Sequence, residues 1–157
     1  MSQQPTPKRR INVRAIIYHE GKLLAVKHKS ADGRVSAYYA TPGGGLDPHE
    51  SLANGLIREI FEETGMQAQI GKLLFVQQFN TLREGYTEEL EFFFEVVNIG
   101  DFLHIDISTT THGKNELAIC EFIDPSQVMI YPEFLQSINI SDYIHHTLPT
   151  LVANNLR

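Results

Sequence analysis

The sequence predicts a single α/β domain, a sheet with helices packed on it. Three observations lead there. Short apolar runs with strand character recur along the chain, one stretch has apolar residues at helical spacing, and the change of period between them is marked by three consecutive glycines, Gly43 to Gly45. Residues 12–18 (NVRAIIY) and the apolar run after Gly21, residues 22–28, are separated by His19, Glu20 and Gly21, a hairpin signal. A turn and a short extended run ending at Tyr39 and Ala40 follow, closed by Pro42. Beyond the glycines Leu52, Ala53, Leu56, Ile57 and Ile60 make the stripe of an amphipathic helix from about Ser51 to Thr64, stopped by Gly65. Asp47 with Pro48 and Glu50, or Ser51 itself, supplies the cap.

Residues 69–80, 88–98 and 116–124 are strand-like, with polar separators at 80–87 and 98–115. The second separator is long enough to suggest a functional loop. In the segment from Tyr131 onward Phe134, Leu135 and Ile138 have helical spacing, which predicts a second helix packed on the sheet.

At 157 residues and 42% apolar content the chain suffices for one core and is short for two. We expect a flexible tail over 1–10 and one domain over 11–157. The net charge of −6, from 13 Lys plus Arg against 19 Asp plus Glu, argues against broad binding to nucleic acid or anionic membrane. No run approaches the roughly 18 apolar residues of a membrane span, and the opening MSQQPTPKRR lacks the apolar stretch of a secretory signal. A cytoplasmic location is the default expectation. The only cysteine, Cys120, lies in an apolar run and reads as a small buried hydrophobe. The oligomeric state stays open, with a homodimer among the options.

The chemistry concentrates at the end of the first helix. Glu59, Glu62 and Glu63 fall within an arc of roughly 100°, beside the apolar stripe and at the negative end of the helix dipole. Arg58, four residues before Glu62, is the one obvious partner on that helix. A solvated acidic face is the plain alternative. Crowding on one arc, the unfavourable end and the glycine-rich loop expected just before the helix favour a hard divalent cation, which takes carboxylate oxygens together with substrate phosphates.

These residues resemble a known motif. Gly44, Glu50, Arg58, Glu59, Ile60, Glu62, Glu63, Gly65 and Met66 match every fixed position of Gly-x5-Glu-x7-Arg-Glu-U-x-Glu-Glu-x-Gly-U, where U is a bulky aliphatic. This is similar to the complete box of the Nudix hydrolase superfamily. The resemblance implies a Nudix-type α/β/α sandwich with a mixed central sheet, and Mg2+- or Mn2+-dependent hydrolysis of a nucleoside diphosphate linked to a moiety X. It implies that Glu59, Glu62 and Glu63, with the backbone of Gly44, hold the metal. Arg58 joins the catalytic set by orienting a box carboxylate, Glu62 or Glu50. The partner it implies is a small-molecule nucleotide, of the nucleoside triphosphate or ADP-sugar type.

Gly55 departs from the alanine common at its place and suggests room over the metal site; Tyr38 and Tyr39 stand where a tryptophan is often found. Glu116 and Glu121 are further candidates for a ligand or base, Arg14, Lys27, Lys29 and Arg83 for phosphate contacts, and Tyr38, Tyr39, Phe79 and Tyr86 for stacking on a base. The histidines have no zinc-like spacing with the cysteine. A non-catalytic nucleotide-binding sensor on the same fold is the alternative reading; retention of every box carboxylate speaks against it.

Overall fold

The computed structural model describes residues 6–157, and residues 1–5 of the expected tail lie outside the described residues. Ten strands and three helices follow in the order β1 (Arg9–Ile16), β2 (Tyr18–His19), β3 (Lys22–His28), β4 (Tyr39–Ala40), β5 (Gly43–Gly45), α1 (Leu52–Thr64), β6 (Ile70–Asn80), β7 (Glu88–Val96), α2 (Gly113–Glu116), β8 (Leu117–Ile123), β9 (Ile130–Tyr131), α3 (Ile140–His145) and β10 (Leu151–Asn155). One mixed sheet has the order β10-β6-β7-β1-β5, with β10 parallel to β6, β7 parallel to β1 and the other pairs antiparallel. A second sheet has the order β2-β3-β4-β9, and β8 runs antiparallel along β3.

The alternation of β1 and β3 sends side chains to two cores. Ile16, Leu23 and Ala25 meet Leu74, Phe75, Phe93, Leu135 and Ile140 on one face, while Val13, Ala15, Ile17 and Leu24 meet Leu56 and Ile60 of α1 on the other. Helices therefore cover both faces, giving the α/β/α sandwich. Phe75 centres the first core, with ring centroids 5.4 Å from Phe134 and 5.1 Å from Tyr143. Leu56 and Ile60 are fully buried, each contributing about 1.5–3 kcal/mol.

Four expectations change. Arg9 and Arg10, placed in the tail by their charge, are strand residues in register with Glu88 and Glu89, and Arg9 Nε donates to Glu88 Oε1 at 2.6 Å. The 12–18 and 22–28 runs form a hairpin only at its tip, where Tyr18 and His19 pair with Leu23 and Lys22 around Glu20 (φ 49°) and Gly21 (φ 79°); the rest of β1 joins β7 in the other sheet. The three glycines are strand residues paired with β1 instead of a loop. The second helix is broken into a 3-10 turn, Glu133–Gln136, and the short α3, and the chain then adds β10, which the sequence pattern did not disclose. Pairing to β6 makes that strand, a non-local effect that local propensity does not carry.

Candidate functional site

The ambiguity at the start of α1 resolves on Ser51, whose Oγ accepts the Asn54 N–H at 3.1 Å. Asp47 donates its backbone N–H to Glu50 Oε1 at 2.9 Å instead. At the other end Gly65 takes the left-handed conformation (φ 75°) and no basic residue occupies the last turn. The compensation comes from the 98–115 segment. The His112 N–H donates to Glu62 O (3.0 Å), Thr110 Oγ1 to Glu63 O (3.0 Å) and Thr111 Oγ1 to Glu62 O (3.4 Å). These donors satisfy helix-end carbonyls that water or a lysine would otherwise serve.

With Leu56 and Ile60 turned into the core, the three glutamates line a cleft of about 1690 Å³ beside β5. Glu63 is 2% exposed, and its Oε2 accepts the Gly43 N–H at 3.0 Å. Burial pushes its carboxyl up to about 8 against the pull of that N–H and of Arg14, with Glu59 and Glu116 adding to the rise. The Glu59 carboxylate lies against Gly44, where a β-carbon would fall 2.6 Å from it. Burial raises the Glu59 pKa too, opposed by Arg58. Glu62 is drawn aside by Arg58 Nη1 (3.3 Å) and His112 Nδ1 (3.0 Å).

Arg58 is the hub. Its Nε and Nη2 bind Glu50 Oε2 and Oε1 at 2.9 and 2.7 Å, its Nη2 also reaches Gly45 O (3.1 Å), and its Nη1 reaches Glu59 Oε1 (3.0 Å). That fork fixes the glycine strand to the helix. The hydrogen bonds from Arg58 hold Glu50 down at about 2, while Glu50 in turn raises the arginine. Gly55 leaves room for Leu46 and Glu50, since a β-carbon there would come 2.5 Å from Leu46 Cδ1 and 3.0 Å from Glu50 Oε1. It therefore serves this brace and not the metal site that the sequence suggested.

Of the secondary candidates, Arg14, Lys29, Tyr38, Phe79, Arg83 and Glu116 line the cleft. Arg14 is committed to structure, with Nε 2.9 Å from Glu91 Oε2 and Nη1 donating to Gly43 O at 3.1 Å. Lys27, Tyr39, Tyr86 and Glu121 do not line it. Lys27 lies over the Tyr39 ring at 4.8 Å, and Tyr39 Oη donates to Glu121 Oε1 at 2.6 Å. His28 lines the cleft, and burial, followed by the charge of Arg14, takes it down to about 4.

Sequence reasoning missed several residues. Asn12, Gln77, Glu89 and Glu91 form a buried polar network under the cleft, in which Gln77 Nε2 donates to Glu91 Oε1 at 2.6 Å and Asn12 to Glu89. The period-two acids of EELEFFFEV were its readable signal, because Glu89 and Glu91 share one face of β7. Tyr131 packs edge-on to Tyr38 at 4.8 Å, both rings 43% exposed at the cleft. No local signal marked Tyr131 or His112.

The family model described as NUDIX domain matches residues 8–141. The chain belongs to the Nudix family. Among curated Nudix relatives, human diphosphoinositol polyphosphate phosphohydrolase NUDT4B is 32% identical over 78 residues, covering 45% of this chain and 43% of that protein. Diphosphoinositol polyphosphate phosphohydrolase 3-beta of Bos taurus is 36% identical over 70 residues, covering 40% and 43%. These matches span less than half the length of the curated relatives. In fold the chain is similar to the solution structure of the E. coli ORF135 protein (TM-score 0.67, 19% identity, 94% of this chain and 100% of that one). It is also similar to a UDP-X diphosphatase (TM-score 0.61, 21% identity, 96% and 69%).

Nudix hydrolases generally use divalent metal ions. The donor chemistry here fits such an ion: Glu59 and Glu63 present hard carboxylate oxygens at the cleft floor, and burial raises the pKa of both. Among the described residues no three His, Cys, Asp or Glu side chains converge on one point as they stand, and Glu62 is engaged by Arg58 and His112. No helix among the described residues is long and apolar enough to cross a membrane.

Proposed function

We propose that this Nudix domain is a divalent-cation-dependent hydrolase that cleaves the phosphoanhydride of a nucleoside diphosphate linked to a moiety X, with a nucleoside triphosphate or an ADP-sugar as substrate. The observation that carries the reading is the pairing of two part-buried or buried carboxylates, Glu59 and Glu63, at the cleft floor against Gly43 and Gly44. A divalent cation, Mg2+ or Mn2+, bound there supplies shielding of the anhydride oxygens and of charge on the leaving phosphate. Glu59, Glu63 and the Gly44 backbone would hold it, with Glu62 as the further carboxylate nearby. Arg58 touches no substrate; it keeps Glu59 and Glu62 in place from Glu50. Glu59, whose side chain is 15% exposed, is the more open of the two floor carboxylates and takes the proton of the attacking water at its carboxylate oxygen. Tyr38 and Tyr131 receive the base.

A second substrate reading comes from the curated relatives, which are diphosphoinositol polyphosphate phosphohydrolases by name. The arginines Arg10 and Arg83 at the cleft favour a diphosphate on a polyphosphorylated polyol. The test is a panel of nucleoside triphosphates, nucleotide sugars and diphosphoinositol phosphates with Mg2+ or Mn2+, products identified by chromatography. Release of a phosphate, pyrophosphate or nucleoside monophosphate that stops in Glu62→Gln and Glu63→Gln, both still folded, is the expected result. Tight nucleotide binding without turnover supports the sensor instead.

A further inference from the structure

Arg10 stands apart among the arginines that line the cleft. On β1 it lines the cleft one strand away from the metal-binding glutamates, and its guanidinium lies over Gly45, where a β-carbon would come 2.6 Å from Nη2. Arg14, Arg58 and Arg83 each have a carboxylate within 4 Å. Arg10 has neither a carboxylate at that range nor a hydrogen bond to its side chain among the described residues. The nearby acids are already engaged. Glu88 binds Arg9 at 2.6 Å, and Glu89 accepts from Thr81 Oγ1 at 2.6 Å and from Asn12, with Arg83 Nε 3.6 Å away. Arg83 is also close enough to Arg10 to disfavour its charge, second only to burial, and Glu89 offsets part of that effect.

Two guanidinium groups facing one cleft, with only the already hydrogen-bonded Glu89 to offset them, favour a further anion between them. A phosphate matches the planar fork of arginine bidentately, as a lysine does not. We propose that Arg10 and Arg83 form a second oxyanion site, which takes a phosphate group of the substrate other than the two joined by the cleaved bond. The preferred substrate is then a triphosphate chain or a diphosphate whose X bears its own phosphate monoester. Arg10 and Arg83 are binding residues in this scheme, separate from the Glu59–Glu63 floor, and the inference rests on the phosphoanhydride reading only for the identity of the ligand.

Titration calorimetry in EDTA, with inorganic tripolyphosphate and with phytate as probes, tests the site without turnover. The chain phosphate and the separate monoesters of a ring polyol are thereby distinguished. Arg10-dependent binding of either supports the proposal. Arg10→Ala and Arg83→Ala are each expected to raise Kd at least tenfold, Arg10→Lys by less, and Arg34→Ala, which removes an equal charge paired to Asp32 outside the cleft, not at all. Circular dichroism checks each fold, and Arg10→Lys and Arg83→Ala carry the test if Arg10→Ala unfolds. Wild-type protein that binds neither probe, or foldable Arg10 and Arg83 variants that bind as wild type does, overturns the site. Arg10-dependent binding by a protein that turns over nothing keeps this site and removes the hydrolase reading; turnover with unchanged binding in the variants does the reverse.

Discussion

The carboxylate of Glu59 rests on the backbone of Gly44, so close that a β-carbon at that position would lie 2.6 Å from its Cδ. The contact ties the glycine strand to the helix through the side chain proposed to hold the cation. Gly44→Ala is therefore expected to displace a flexible carboxylate and leave the backbone in place. Its melting temperature should stay within a few degrees of wild type, while Mn2+ affinity, read by calorimetry, and turnover each fall about tenfold or more. Unchanged Mn2+ binding would remove Glu59 from the ligand set.

Arg58 and Glu50 brace the site, and their linkage has a sign. Glu50 is held at about 2, below its ordinary value of 4.5, so the stabilisation is present above pH 4.5 and is lost as pH falls through about 2. Urea midpoints measured between those limits should drop with acid in wild type and less in Glu50→Gln. At neutral pH that substitution should cost about 1.5 kcal/mol, the value of a hydrogen bond to a charged group.

Glu63 has the opposite linkage. Its folded-state pKa, about 8, exceeds the ordinary 4.5. The stability it contributes to metal-free protein is complete below pH 4.5 and disappears as pH rises through 8. Thermal melts in EDTA should show this decline in wild type and a flatter profile in Glu63→Gln. Mn2+ at pH 8 should restore stability to wild type alone; equal restoration in the variant would argue against ligation by Glu63.

His112 competes for Glu62 through Nδ1 at 3.0 Å, while its backbone N–H separately caps Glu62 O. His112→Ala keeps the cap and releases the carboxylate. Mn2+ affinity should rise severalfold with little change in melting temperature, and a fall in affinity would make His112 a support instead of a competitor.

Tyr131 meets Tyr38 edge-on at 4.8 Å, with both rings open to the cleft. Base stacking is worth about 1–3 kcal/mol, so Tyr131→Ala should raise KM for a nucleotide substrate at least fivefold and leave kcat nearly unchanged. A KM unaffected for nucleotides would favour the polyol-phosphate reading.

The amino-acid sequence by itself determined α1, its stop at Gly65 and the placing of Glu59, Glu62 and Glu63 on one arc, because helical period, capping and charge spacing are local properties written at neighbouring positions. It also located β6, β7 and β8 by composition. Only the tertiary structure decided that Gly43–Gly45 would be a strand, that the run after Ile16 would pass from one sheet to the other, and that residues 151–155 would pair with β6. It alone brought Arg10, His112 and Tyr131 to the cleft. Those outcomes depend on which segment supplies the hydrogen bonds and the opposing charge, and pairings across tens of residues leave no trace in a local pattern.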